Sequence, residues 1–329
     1  MTVKSPSPAI THSTATAVPE TVSVHAKHVV WLLALGLIWG SSYLFIKLLI
    51  EAVSPTVMIA VRFALGVVTL GTILVLRGGR LPRWGRVWGY LLVMSIFGNV
   101  VPFLLIAWSE QHTTSALAAV LSATTPHFTL LFAVAMFRGE GLTIDRVVGI
   151  IIGFIGVLLL TGRSILDLGS VDGLGVVALL GSSVCYGFAF AFARQYIRGD
   201  PLSNVTAQLL MSLAIIGPFA VTTGWVRTDE LGVVEIGSWL VLGVIGTGVA
   251  YLFYYSLIRE IGATPASLVT YIIPPVGVLL GWLVLNEAIG PGGLAGMVLI
   301  IAGVAISYGW HRRRVGRRGT TTSPLPGGR

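Results

Sequence analysis

Residues 29–50 read VVWLLALGLIWGSSYLFIKLLI, a run of 22 positions interrupted by one charge, Lys47. At 1.5 Å per helical residue, about 20 residues cross a hydrocarbon core of ~30 Å. The run is therefore read as a membrane-spanning helix. Nine comparable stretches follow, at 55–76, 87–108, 114–137, 144–162, 173–194, 202–225, 238–258, 264–285 and 291–310. The sequence predicts an all-α integral membrane protein of ten spans, joined by loops too short to hold a catalytic domain.

Composition agrees. Of 329 residues, 55% are apolar and 10% charged, where a soluble domain carries about 25% charged residues. Cys185 is the lone cysteine, which excludes an internal disulfide and gives no support to a cysteine metal site. The net charge of +8 does not point to nucleic acid, because the basic residues lie in the tails and between apolar runs. Residues 1–27 lack the apolar core of a cleaved signal peptide and read as a disordered tail. Residues 311–329, with six arginines, read likewise.

Lys and Arg placement orients the chain. With an even number of spans both termini share one side. That side holds Lys4, Lys27, Arg77, Arg80, Arg83, Arg86, Arg138, Arg146, Arg194, Arg198, Arg259 and the tail arginines, 17 in all. The other side holds 3, Lys47, Arg163 and Arg227, and Arg62 falls inside a span. Both termini are expected in the cytoplasm, with the protein in the cell membrane.

The two halves resemble each other at a shift of about 147 residues. Trp39-Gly40, Tyr43 and Lys47 fall on Tyr186-Gly187, Phe190 and Arg194. Pro55 falls near Pro201, Gly98 and Phe103 on Gly246 and Tyr251, Pro126 on Pro274, and Glu140 on Glu287. Gly149 and Gly156 fall on Gly296 and Gly303. Each half, 28–162 and 172–310, holds five spans, so the second enters the membrane from the opposite side. Inverted repeats of this kind place a solute site near the midplane where they meet.

These landmarks resemble the drug/metabolite transporter superfamily, and within it the EamA-type ten-span transporters. The resemblance rests on Trp39-Gly40-Ser41-Ser42, on ALAAVLSATTP (Ala116–Pro126), and on the stretch from Gly139-Glu140 to Leu160. Its second-half counterparts are ATPASLVTYIIPP (Ala263–Pro275) and the stretch from Asn286-Glu287 through Ser307. It covers roughly residues 29–310. It implies a ten-helix basket around a central cavity, working by alternating access. Exporters of amino acids, metabolites or drugs are its typical members, with uptake of small solutes the alternative. No cofactor and no metal is implied.

Polar groups within a bilayer are costly and mark function by default. Arg62 stands about eight residues into the second span, ~12 Å deep, and could hold a solute carboxylate bidentately. Its repeat mate is Gln208. His127, after Pro126, could carry a proton or simply bond between helices. Trp39 and Tyr43 share a helix face with Lys47, and Asn99 with Phe103. Together with Tyr186, Tyr251, Tyr255 and Tyr271 they are candidates to line the cavity, and ordinary packing is the competing reading. Pro126, Pro274 and Pro275 are candidate kinks.

All 13 acidic residues fall in tails, loops or span ends, so no mid-membrane carboxylate is expected to carry protons. Glu140 and Glu287 read as helix caps or ion-pair anchors. Gly149, Gly153, Gly156, Gly292, Gly296 and Gly303 read as a close-packing face, within the chain or at a homodimer contact. A membrane-embedded enzyme lacks its buried acid pair or metal set here, and a channel its ring of charges or carbonyls. The expected partners are a small-molecule solute and the lipid bilayer.

Overall fold

A computed structural model of the protein describes residues 26–136, 143–162, 171–261 and 267–318. Within these ranges side chains are not described at 171, 255, 258, 259, 267, 268 and 308–318. The helices are α1 (Ala26–Leu49), α2 (Pro55–Leu76), α3 (Arg86–Ser95), α4 (Val101–Glu110), α5 (Ser115–Ser122), α6 (Thr125–Met136) and α7 (Ile144–Thr161). They are followed by α8 (Val171–Tyr196), α9 (Pro201–Thr223), α10 (Val233–Leu240), α11 (Ala250–Ile261), α12 (Ile273–Leu285) and α13 (Pro291–Arg318). Two wide, π-type turns, Ile96–Val100 and Val241–Val249, join α3 to α4 and α10 to α11 into continuous rods. Among the described residues, eight such rods or single helices are long and apolar enough to cross a membrane. Two shorter apolar stretches follow, Val269–Leu285 and Pro291–Ser307.

Many of the boundaries follow local chemistry. α2 and α9 start alike: Ser54 and Asp200 each accept a bond from a first-turn amide, with Pro55 and Pro201 at the next position. A short polar side chain satisfies the otherwise orphaned amides, and proline lacks the amide that would be orphaned there. Pro102 cannot donate to the carbonyl four residues back, and the Ile96–Val100 turn takes up the mismatch just before it. Pro126 and Pro274 stand at the starts of α6 and α12, each directly after an interruption of the regular helix.

Two expectations change. The eighth predicted span begins earlier, at Val233. The last helix continues past 310 to Arg318, into the segment expected to be disordered. Arginine is a good helix former, and positive charge suits a helix C-terminus.

Large apolar side chains stay exposed along the outer faces, such as Leu33 and Leu37 on α1, Ile151, Ile155 and Leu158 on α7, and Leu279 and Leu283 on α12. Apolar surface on that scale suits a lipid environment and not water. Inside, α2 packs on α9, α5 on α12 and α7 on α13. α1 packs on α11 and α12, and α8 on α4 and α6. Under the sequence shift of about 147 residues, the contacts of α1 with α11 and α12 correspond to those of α8 with α4 and α6.

Contacts between helix ends sort into two groups. At one end Ser54 N–H donates to the Trp225 carbonyl and Val53 bridges Val226. Lys47 Nζ donates to the carbonyls of Glu110 and Thr113 there, and Glu287 meets Ser115. At the other end Lys27 and His28 meet Glu260, Ser203 donates to the Arg80 carbonyl, and Ser307 to that of Arg146.

Glu287 acts as the anticipated cap, but for a distant helix. Asn286 adopts a left-handed φ of 54°, which brings Glu287 back over the start of α5. Its carboxylate accepts from Ser115 N, Ser115 Oγ and Ala116 N, each at 2.9 Å. Glu287→Ala is expected to lower stability by roughly 1–3 kcal/mol through the orphaned amides, read as a reduced melting temperature in detergent. Glu140 lies outside the described residues.

Candidate functional site

The cap at Ser54 fixes the start of α2, and two turns later Arg62 points into the bundle, 3% exposed. Its Nε donates to Thr247 Oγ1 at 3.0 Å, and its guanidinium carbon lies 4.3 Å from the Phe103 ring centroid. Thr247 sits in the second wide turn and passes its own proton to the Leu242 carbonyl. No carboxylate among the described residues lies within ion-pair distance of Arg62. Gly246 leaves space beside it: a Cβ there would stand 3.8 Å from Arg62 Nη2.

Aromatic side chains surround this guanidinium. Trp39 donates from Nε1 to the Gly246 carbonyl at 3.2 Å and contacts the rings of Tyr251 and Tyr254 at 6.4 and 5.3 Å. Phe103 meets Phe63 and Tyr186 edge-on at 5.6 and 6.2 Å. The Tyr43 hydroxyl lies beside Ser122, whose own hydroxyl donates to the Ala119 carbonyl. Arg62 lies within electrostatic reach of Tyr43, Tyr186 and Tyr251. Trp39, Phe103, Tyr186 and Tyr251 retain part of their surface accessible, while Arg62 and Tyr43 are buried beside them. A cation with spare donors, ringed by aromatic faces and hydroxyls, can hold a carboxylate and cover an apolar body.

Asn99 and Gln208 form a second polar group, closed on itself. Gln208 Nε2 donates to Asn99 Oδ1 at 3.1 Å, and Asn99 Nδ2 to Ser212 Oγ at 2.8 Å. Ser95 Oγ donates to the Gln208 carbonyl at 2.9 Å. This is the counterpart of the Arg62–Thr247 pair, made by α9 against the first wide turn. With its bonds met inside the protein, it fits the packing reading for these two residues.

His127 stands apart from the Arg62 cluster. Its Nε2 lies 3.3 Å from the Gly149 carbonyl, and its ring fills the space left by Gly153. It is buried between α6 and α7, as the interhelical reading has it. Tyr271 lies in a 3₁₀ turn, Ser267–Tyr271, ahead of α12. The Tyr255 side chain lies outside the described residues. Pro274 is buried and Pro275 exposed.

The sequence reading missed Thr247 and Ser122, whose short side chains carry no signal without their partners. It also missed the burial of Glu110. That residue does end a span, as expected, yet its side chain is fully buried and both carboxylate oxygens lack a hydrogen-bond partner. The candidate glycines pair within the chain. Gly149, Gly156, Gly296 and Gly303 hold α7 against α13 with backbone facing backbone.

Comparison with known proteins identifies similar chains. Residues 26–162 and 173–309 each match the profile of the EamA-like transporter family. An uncharacterized transporter of Archaeoglobus fulgidus is 26% identical over 82% of this chain and 94% of its own. The uncharacterized transporter YoaV of Bacillus subtilis is 22% identical over 86% and 98%. The uncharacterized inner membrane transporter YedA of Escherichia coli is 28% identical over 76% and 80%. A solved structure titled only as a protein superposes with a TM-score of 0.63 at 18% identity, over 91% of this chain and all of its own.

Proposed function

Because the chain belongs to the EamA-like transporter family, we propose that it carries small organic solutes bearing a carboxylate and an apolar or aromatic body across the cell membrane. The observation that carries this reading is the buried Arg62, with no carboxylate among the described residues within ion-pair distance, in its aromatic surround. Ten spans arranged as two inverted five-helix repeats, opening alternately to either side, complete the reading. It is supported by the separate family match of each half, by the corresponding contacts of α1 and α8, and by the matched pairs Arg62–Thr247 and Gln208–Asn99. The sorting of helix ends supports alternating crossings. The end that holds Lys27, Arg80 and Arg146 is the cytoplasmic one under the positive-inside rule.

Export is the direction the family resemblance implies, with uptake the alternative. The test is flux through the purified full-length protein in liposomes, using paired probes: aromatic carboxylates such as 3-phenylpropionate and L-phenylalanine against the amine phenethylamine. Saturable exchange of the carboxylates, absent for the amine and in protein-free vesicles, is expected. Preference for the amine would refute Arg62 as a carboxylate holder.

A further inference from the structure

We propose that Glu110 is the proton-binding site of the carrier, and that its protonation is linked to solute binding at Arg62. The inference rests on the carrier reading above. Glu110 is 0% exposed, and its two carboxylate oxygens make no hydrogen bond. Among the described residues no other carboxylate is left in this state. Glu287 provides a contrast within the same end of the bundle, since its carboxylate accepts three bonds. A carboxylate kept for architecture is held as Glu287 is held.

The charged groups within electrostatic reach of Glu110 are Lys47 from α1, Arg62 from α2 and Glu287 beyond α12. Tyr43 of α1 also senses it. α5 and α8 also pack on α4, and α8 carries Asp172 in its first turn. None of Lys47, Arg62 and Glu287 makes a hydrogen bond to the carboxylate itself. Lys47 is turned to the main-chain carbonyls of Glu110 and Thr113, Arg62 to Thr247 and Phe103, and Glu287 to the start of α5. An ionised carboxylate without hydrogen bonds is costly in a low-dielectric setting, and uptake of a proton removes that cost. The repeat gives no architectural reason for an acid here. At the shift that aligns Gly98 with Gly246, Glu110 falls on Ile258.

The four charges Lys47, Arg62, Glu110 and Glu287 cancel when Glu110 is ionised. A proton from water at that end of the bundle, adding to a Glu110 carboxylate oxygen, leaves one net positive charge close to Arg62. A solute carboxylate then binds more tightly, and by reciprocity the bound solute holds the proton more tightly. Proton and anionic solute travel together. An inward proton gradient would drive such a solute inward, so this linkage selects uptake, the alternative direction named above.

The test uses the full-length protein in two arms. In nanodiscs without solute, infrared difference spectra between acid and neutral pH should contain a protonated-carboxyl C=O band. Glu110→Gln should delete that band and His127→Gln should keep it. In liposomes with labelled 3-phenylpropionate, Glu110→Gln should abolish accumulation driven by an imposed pH gradient, a loss of about tenfold or more. Gradient-free exchange should fall far less, which shows the variant to be folded. Survival of the band or of gradient-driven accumulation in Glu110→Gln overturns the proposal. If wild-type protein carries no probe while the band still depends on Glu110, the carrier reading has failed and the assignment of the protonated group has not.

Discussion

Arg62→Ala is expected to abolish solute exchange in liposomes while leaving a folded protein, with a loss of about 100-fold or more. The truncation removes the hydrogen bond to Thr247 and the stacking on Phe103. Neither neighbour is stranded. Thr247 still donates to the Leu242 carbonyl, and Phe103 still packs on Phe63 and Tyr186. No buried acid loses a direct ion-pair partner, and removing a lone buried cation relieves a desolvation cost. The melting temperature should therefore change little. Arg62→Lys keeps the charge but loses the planar fork that meets a carboxylate with two parallel bonds, so partial activity with weakened binding is expected. Unchanged flux in Arg62→Ala would remove the residue from the site.

Gly303→Val is expected to be the most damaging single change to stability. A Cβ at Gly303 would stand 2.5 Å from the Gly149 carbonyl oxygen and 2.6 Å from Gly153 N. A Cβ at Gly296 would meet the Gly156 carbonyl at 2.6 Å and Leu160 N at 2.7 Å. These obstacles are backbone atoms, which cannot rotate away, so α7 and α13 must separate. Overpacking of a fitted core costs about 1–3 kcal/mol, and a side chain longer than one carbon forces the larger shift. Thermal unfolding in detergent should rank wild type above Gly303→Ala and Gly303→Ala above Gly303→Val. Equal melting temperatures would mean the helices are not in contact through this face.

The eight long apolar helices were legible because each is a local property of composition and length. The caps at Ser54-Pro55 and Asp200-Pro201, and the breaks before Pro126 and Pro274, follow from the chemistry of the residues on the spot. Arg62 was legible because a guanidinium deep in an apolar run is anomalous wherever its helix packs. What escaped depends on partners far along the chain. Glu110 looked like an ordinary span end, and its isolation appears only when Lys47 and Glu287, 63 and 177 positions away, are seen to be engaged elsewhere. His127 allowed either a proton carrier or a bond between helices, and only the fold shows its ring in the hollow that Gly153 leaves on α7. The wide turns at Ile96–Val100 and Val241–Val249 leave no clear mark in hydrophobic patterning, which counts apolar positions and not residues per turn.

The glycine contact between α7 and α13 has a mechanical side. Along this face the two rods interlock carbonyl against Cα at successive levels, so neither can slide or roll past the other without colliding at several heights at once. A bundle that opens first at one end and then at the other needs a part that keeps its form throughout. In the alternating-access reading proposed above, this pair would be the axle around which the remaining rods rock.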